Sequence, residues 1–160
     1  MIHKPGKDPH KVTSYRPISL LSHIGKLFER ILTSRLSNHI ESLGLIALHQ
    51  AGFRTGRATT DNILGLSEDI YRNFNKKEIT LAIFFDIEKA FDKVWHNRLI
   101  YRLLDSNLKL PQPTQYIISS FLSNRQIKVK IASATSTPFI PQAGVPQGAV
   151  LSPLLFLIHI

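Results

Sequence analysis

The sequence predicts an α+β fold, on three observations. Apolar residues recur at spacings of three and four from Ile24 to Leu43, an unbroken apolar run TLAIFFDI fills residues 80–87, and QIKVKIA at residues 126–132 alternates polar with apolar. The first marks an amphipathic helix, the second a strand buried on both faces and the third a half-exposed strand. A length of 160 residues is that of one domain or of one piece of a larger one.

Residues 1–16 are rich in Lys, Pro and Gly, and Pro5, Pro9 and Pro17 exclude a helix, so an extended or hairpin-like arm is expected, suited to facing phosphates. From His23 onward, Ile24, Leu27, Phe28, Ile31, Leu32, Leu36, Ile40 and Leu43 form a helical stripe that Gly44 ends. A glycine-punctuated loop at 50–57 leads to a second helical pattern in which Ile63, Leu66, Ile70 and Phe74 face one way. Lys76 and Lys77 fall in its last turn, where cations suit the helix dipole.

After the strand at 80–87, Phe91, Val94, Trp95, Leu99, Leu103 and Leu104 make another helical stripe, and a shorter one runs over 113–122. The strand at 126–132 is expected to pair with 136–145 across a short turn. Residues 146–153 form a loop marked by Pro and Gly, and the apolar residues 154–160 are expected to stand exposed one after another. No internal repeat is present.

Composition narrows the class. Hydrophobic residues at 43% and charged residues at 19% match globular usage and exclude disordered and collagen-like chains. Absence of cysteine excludes a disulfide framework, a thiolate zinc site and a cysteine nucleophile. The longest apolar stretches, 81–85 and 154–158, fall far short of the ~20 residues that span a bilayer, and MIHKPGKDPH has no signal-peptide core. A soluble chain without a membrane partner or a targeting signal is expected.

The net charge of +9 is unevenly spread: +6 over residues 1–57, zero over 58–110 and +3 over 111–160. Two basic flanks around a centre that holds eight of the eleven carboxylates suit a polyanion gripped on both sides of an acidic middle. A solvated basic surface accounts for the same numbers.

Asp86 ends the apolar run, where a carboxylate is costly unless paired or metal-bound, and Glu88 follows two residues on. Magnesium takes such hard oxygen ligands, often with substrate phosphates completing its sphere. The alternative is an Asp that caps a helix opening near Lys89. Asp92, one turn into that helix, is either a second ligand or a charge that suits the dipole. The loop AGVPQGAVLSP at 143–153 lets backbone approach a bound group at its glycines while Gln147 donates or accepts. Equally, it is a turn with Ser152 as N-cap and Pro153 at the first helical position. Arg16, Arg54 and Arg57 adjoin turn residues and can reach phosphates. The seven histidines show no paired ligand spacing.

Six blocks stand together in one order: Lys4-Pro-Gly-Lys-Asp-Pro, Tyr15-Arg-Pro-Ile-Ser-Leu-Leu, Lys26-Leu-Phe-Glu-Arg, Gln50-Ala-Gly-Phe-Arg-Thr-Gly-Arg, Phe85-Asp-Ile-Glu-Lys-Ala-Phe-Asp-Lys-Val-Trp-His and Gly144-Val-Pro-Gln-Gly-Ala-Val-Leu-Ser-Pro-Leu-Leu-Phe. With these blocks the chain closely resembles the reverse transcriptases of non-LTR retrotransposons, especially the jockey-like elements, from about Lys4 to Ile160. The resemblance implies a right-hand polymerase with fingers over 1–79 and part of the palm over 80–160. It implies an RNA template, a DNA primer, dNTP substrates and two Mg2+ ions.

Residue by residue, Asp86 matches the first catalytic aspartate, and the main-chain carbonyl of Ile87 matches the neighbouring metal ligand. Phe91 matches the aromatic gate that collides with a ribose 2′-OH. Gln147 and Gly148 match the loop against the incoming nucleotide and template base, and Arg16 matches the fingers arginine on the triphosphate, assisted by Lys4 or Lys7 of the arm. That arm and Gly52, Phe53 and Arg54 match the template and primer contacts.

The family's Tyr-Ala-Asp-Asp hairpin follows the Pro-Gln-Gly block, and these 160 residues stop before it, with no Asp or Glu after Asp105. The isolated chain is therefore expected to be inactive, with an unpaired apolar edge prone to aggregation. A non-catalytic nucleic-acid-binding remnant is the alternative. The resemblance points to nucleus or cytoplasm without choosing between them.

Overall fold

A computed structural model describes residues 1–131 and 133–160. Among these residues five α-helices carry the fold, α1 His23–Ser42, α2 Thr59–Asn75, α3 His96–Leu103, α4 Gln112–Leu122 and α5 Ser152–His159, with a 3-10 turn at Val12–Ser14. Two short antiparallel ladders accompany them, β1 Ile2–His3 with β2 Tyr15–Arg16 and β3 Lys130–Ile131 with β4 Ala134–Thr135. A mixed fold of helices with small sheets is thus present. The chain divides into two compact units, residues 1–35 with 89–160, and residues 36–88.

In the larger unit, α3 packs on α4 and α5. Its core is apolar: Val94, Leu99, Leu103, Ile118, Leu151 and Leu155 are fully enclosed. The amino-terminal arm is the expected hairpin, with Ile2 opposite Arg16 and His3 opposite Tyr15. A T-shaped contact of the His3 and Tyr15 rings at 5.3 Å reinforces it. In the smaller unit, Leu36, Ile40 and Ala51 are buried, and Gly44 closes α1 with a φ of +64° that glycine adopts without strain.

Several expectations need correction. Residues 80–87 form no strand, and 81–87 stand exposed, Phe85 at 90%. A strand buried on both faces needs hydrogen-bonding neighbours on its edges and packed layers above and below. Among the described residues no strand pairs with this run. The next helix opens at His96, with Trp95 as N-cap, so Asp86 caps nothing and Asp92 lies in a turn. Lys89 adopts φ +55°, which breaks a helical path, and the carbonyls of Phe91 and Val94 instead accept from Val145 and Gly144 N–H at 2.8 Å each.

Helix α2 exists as expected, yet buries none of its residues; Ile63, Ile70 and Phe74 are exposed. Lys76 is its C-cap and Lys77 lies beyond it at φ +59°. The pairing of 126–132 with 136–145 shrinks to β3–β4 and one bridge between Ile127 and Phe139; Ala132 lies outside the described residues. At the carboxyl end, Leu154 and Leu155 are buried rather than exposed, because α5 turns them onto α3. The N-cap of α5 is Leu151, one residue before Ser152, and no side chain of its own caps it.

His159 closes α5, and its Nδ1 is buried without a hydrogen-bond partner. Burial, with the nearby charges of Arg98 and Arg102, holds its pKa below the usual histidine range. The folded chain therefore takes up this proton later than the unfolded chain as pH falls. Stability is expected to be level above about pH 6.5 and to decline below it. Melting temperatures from pH 8 to 5 check this: His159→Gln should flatten the decline, and an unchanged slope would locate it elsewhere.

Candidate functional site

The Pro-Gln-Gly loop is the best-built part of the expected site. Gly144 adopts φ +88°, and a Cβ there would lie 2.9 Å from the Asp92 carbonyl oxygen and 3.0 Å from its Cα, so the two backbones approach as only glycine permits. Gly144 and Val145 donate to the Val94 and Phe91 carbonyls. Gln147 donates through Nε2 to Asp92 Oδ1 at 2.9 Å, and its carbonyl accepts from Ser19 N–H at 2.7 Å. Gly148 follows at φ +101°, with Ser19 O at 3.3 Å from the position a Cβ would take. The Phe91 ring packs at 5.4 Å from Phe156.

Three expected nucleotide contacts, Phe91, Gln147 and Gly148, are thus held on one hydrogen-bonded framework. Arg16 is exposed in β2, three residues before Ser19. Lys4 spends its ammonium on Thr13 O at 2.8 Å, which ties the arm together, while Lys7 is exposed in the turn.

The smaller unit holds the remaining site residues. Arg54 forks onto Glu41, Nε to Oε1 at 2.7 Å and Nη2 to Oε2 at 2.6 Å, while Nη1 reaches the Ala47 and Gln50 carbonyls at 3.0 and 3.1 Å. Its side chain is 10% exposed. This guanidinium organises the loop that presents Gly52 and Phe53, both exposed. The Arg54 hydrogen bonds and charge hold the Glu41 carboxyl below the usual range, and Arg54 is raised in turn. The pair therefore stabilises the fold above the ordinary glutamate pKa of about 4.3 and loses that contribution as acid protonates Glu41. Arg54→Ala should lower the melting temperature more at pH 7 than in acid that protonates Glu41, where only the Nη1 hydrogen bonds to the Ala47 and Gln50 carbonyls remain to be lost; an equal loss at both would show that those bonds and packing, not the ion pair, matter.

Asp86 and Ile87 are exposed within the irregular run 80–87. Among the described residues, no three His, Asp or Glu side chains gather where a metal ion could be held. The donors present do not by themselves make a magnesium site, since a hard cation needs several converging oxygens.

Sequence reasoning assigned no role to four residues that shape this region. Glu29, 5% exposed, accepts through Oε2 from Val150 and Leu151 N–H at 2.6 and 3.1 Å, capping α5 from α1. The Gly144 carbonyl accepts from Arg125 Nη2 at 2.6 Å and lies 2.7 Å from His96 Nε2. Because a carbonyl only accepts, this contact is a hydrogen bond in the form of His96 that has an N–H at Nε2. Arg125 is half-buried, and burial lowers its pKa. Ser19 completes the set through its backbone. Ser19, Glu29 and His96 belong to the blocks of the resemblance, but nothing local marks which backbone groups they meet.

A profile of the family described as reverse transcriptase (RNA-dependent DNA polymerase) matches residues 2–160. The chain is 41% identical over 156 residues to a probable RNA-directed DNA polymerase from transposon BS of Drosophila melanogaster, covering 98% of this chain. It is 42% identical over 159 residues, 99% of the chain, to a probable RNA-directed DNA polymerase from transposon X-element of the same species. It is 39% identical over 158 residues, again 99%, to the RNA-directed DNA polymerase from mobile element jockey of Drosophila funebris. The chain spans about 17% of the length of each of these relatives. A match along its whole length to that profile and to these relatives means that the chain belongs to the reverse transcriptase family, in its jockey-like, non-LTR retrotransposon branch.

Proposed function

We propose that this chain forms the nucleotide- and template-facing part of an RNA-directed DNA polymerase that adds dNTPs to a DNA primer on an RNA template. The observation that carries the reading is the framework in which Gln147 is bonded to Asp92 and Ser19 and Val145, two residues earlier, to the Phe91 carbonyl, with Gly148 following on. Phe91, backed by Phe156, is a firm wall against a ribose 2′-OH. Gly148, without a side chain, lets backbone lie against the nucleotide. Arg16 neutralises triphosphate charge, with Lys4 or Lys7 of the arm assisting. Gly52 and Phe53, exposed on the loop that the enclosed Arg54 organises, are the template and primer contacts of the other unit, and Arg54 acts there through the loop rather than by touching nucleic acid. Fingers over 1–79 and palm over 80–160 remain the functional division.

Asp86 and the Ile87 carbonyl would supply part of the oxygen set for two Mg2+ ions, which when bound would neutralise charge in phosphoryl transfer. Further carboxylates must join them, and none follows Asp105 in these residues. The purified 160-residue chain is expected to bind an RNA:DNA duplex with strong salt dependence and to extend no primer. Binding titrations between 50 and 200 mM salt, with a primer-extension assay alongside, check both. Magnesium-dependent extension by the chain alone would overturn the shared-site reading. Binding weakened by Arg54→Ala, yet indifferent to Asp86→Ala and to added dNTP, would favour a non-catalytic nucleic-acid-binding module.

A further inference from the structure

We propose that Arg125 and His96 are positioning residues that set the Gln147–Gly148 loop against Phe91 by clamping the carbonyl of Gly144. The proposal rests on the reading of that loop and Phe91 as nucleotide contacts.

A carbonyl oxygen has two acceptor directions. At Gly144, which is buried, Arg125 Nη2 at 2.6 Å and His96 Nε2 at 2.7 Å supply two donors. The amide of the same residue donates to Val94 O, and that of Val145 to Phe91 O, each at 2.8 Å. Pro146 follows, buried and with its φ locked by the ring. From this anchor the next residue is Gln147, whose carbonyl and side chain meet Ser19 and Asp92. Rotation of the Gly144 peptide would swing Gln147 away from Asp92, and φ +88° at a glycine is a position from which the chain rotates with little resistance of its own. The clamp supplies that resistance from α3 and from the residue three beyond the end of α4.

Arg125 is an expensive way to satisfy one oxygen. It is half-buried, its pKa is pulled down by burial, and its Nε is buried without a partner. A buried cation is weak as a source of stability. Its value here is geometric, since the guanidinium lies 3.5 Å from His96 Nε2, so the two donors meet the oxygen side by side and each leaves the other one acceptor direction.

The test uses the chain itself. Native-state hydrogen exchange is followed at the Gly144 and Val145 amides, with Ile118 in the α4 core as reference. Trp95, the sole tryptophan and the neighbour of both Val94 and His96, reports dGTP binding by fluorescence. Arg125→Gln and His96→Phe are expected to speed Gly144 and Val145 exchange about tenfold with Ile118 unchanged. They should also weaken dGTP about tenfold at an unaltered melting temperature. His96→Gln, which keeps a donor near the Nε2 position, should restore both readings toward those of the unaltered chain.

Exchange that stays the same at Val145, or rises equally at Ile118, would overturn the clamp. Failure of dGTP to bind, or binding indifferent to Gln147→Ala, would instead overturn the nucleotide reading, and with it the positioning role, while exchange still judges the clamp as structure. Weakening by Gln147→Ala but not by Arg125→Gln or His96→Phe would sink the positioning role alone.

Discussion

Glu29→Ala is expected to destabilise the larger unit by about 2 to 4 kcal/mol, since a buried donor left unsatisfied costs roughly 1 to 3 kcal/mol. The carboxylate serves two backbone N–H groups at the start of α5, those of Val150 and Leu151. It also places negative charge at the positive end of the helix. Alanine supplies neither. Beside Glu29 lies a cavity of about 320 Å³ lined by Phe28, Leu32, Tyr116 and Leu151 among others, which gives water a route to the freed groups and favours the lower end of that range. Glu29→Gln keeps an acceptor and loses the charge, so about half the effect is expected. Denaturant unfolding of the three chains checks the order; equal stability of all three would mean that solvent caps α5 as well as Glu29 does.

Gly144→Ala is expected to cost about 2 to 4 kcal/mol by a different route. At φ +88° an L side chain is strained, typically by 1 to 3 kcal/mol. Its Cβ would also press on the Asp92 backbone at 2.9 to 3.1 Å, which cannot rotate aside as a flexible side chain would. Relief requires the 91–94 turn and the loop to separate, which breaks the hydrogen bonds to Phe91 and Val94. The substitution should therefore lower stability and loosen Gln147 together. Unfolding free energy and the exchange rate of the Val145 amide measure the two effects, and a stable Gly144→Ala chain with wild-type exchange would contradict the close approach.

Elements with their own periodicity were legible in the sequence. The stripe from Ile24 to Leu43 became α1, the pattern from Ile63 to Phe74 became α2, and the prolines of residues 1–16 kept the arm free of α-helix, with a single 3-10 turn at Val12–Ser14. These are local matters, decided by dihedral preference and by spacing along the chain. The six blocks likewise identified the family, because residue types in order survive without coordinates. The alternation at 126–132 foretold a pairing but overstated its length.

Tertiary structure alone decided the rest. The run 80–87 has the composition of a doubly buried strand, yet a strand is a property of its neighbours, and without a paired partner residues 81–87 are exposed. The stripe starting at Phe91 promised a helix from Lys89, but the carbonyls of Phe91 and Val94 were taken by Val145 and Gly144, more than 45 residues away. Burial of Leu154 and Leu155 required α3 to be present beneath α5. Glu29, His96 and Arg125 share this character: each meets backbone groups distant in sequence, and no local pattern records which carbonyl or N–H will be left without a partner until the fold closes. The sequence by itself determined the family, the helices and the chemistry available; packing determined which of those groups hold the loop and which face outward.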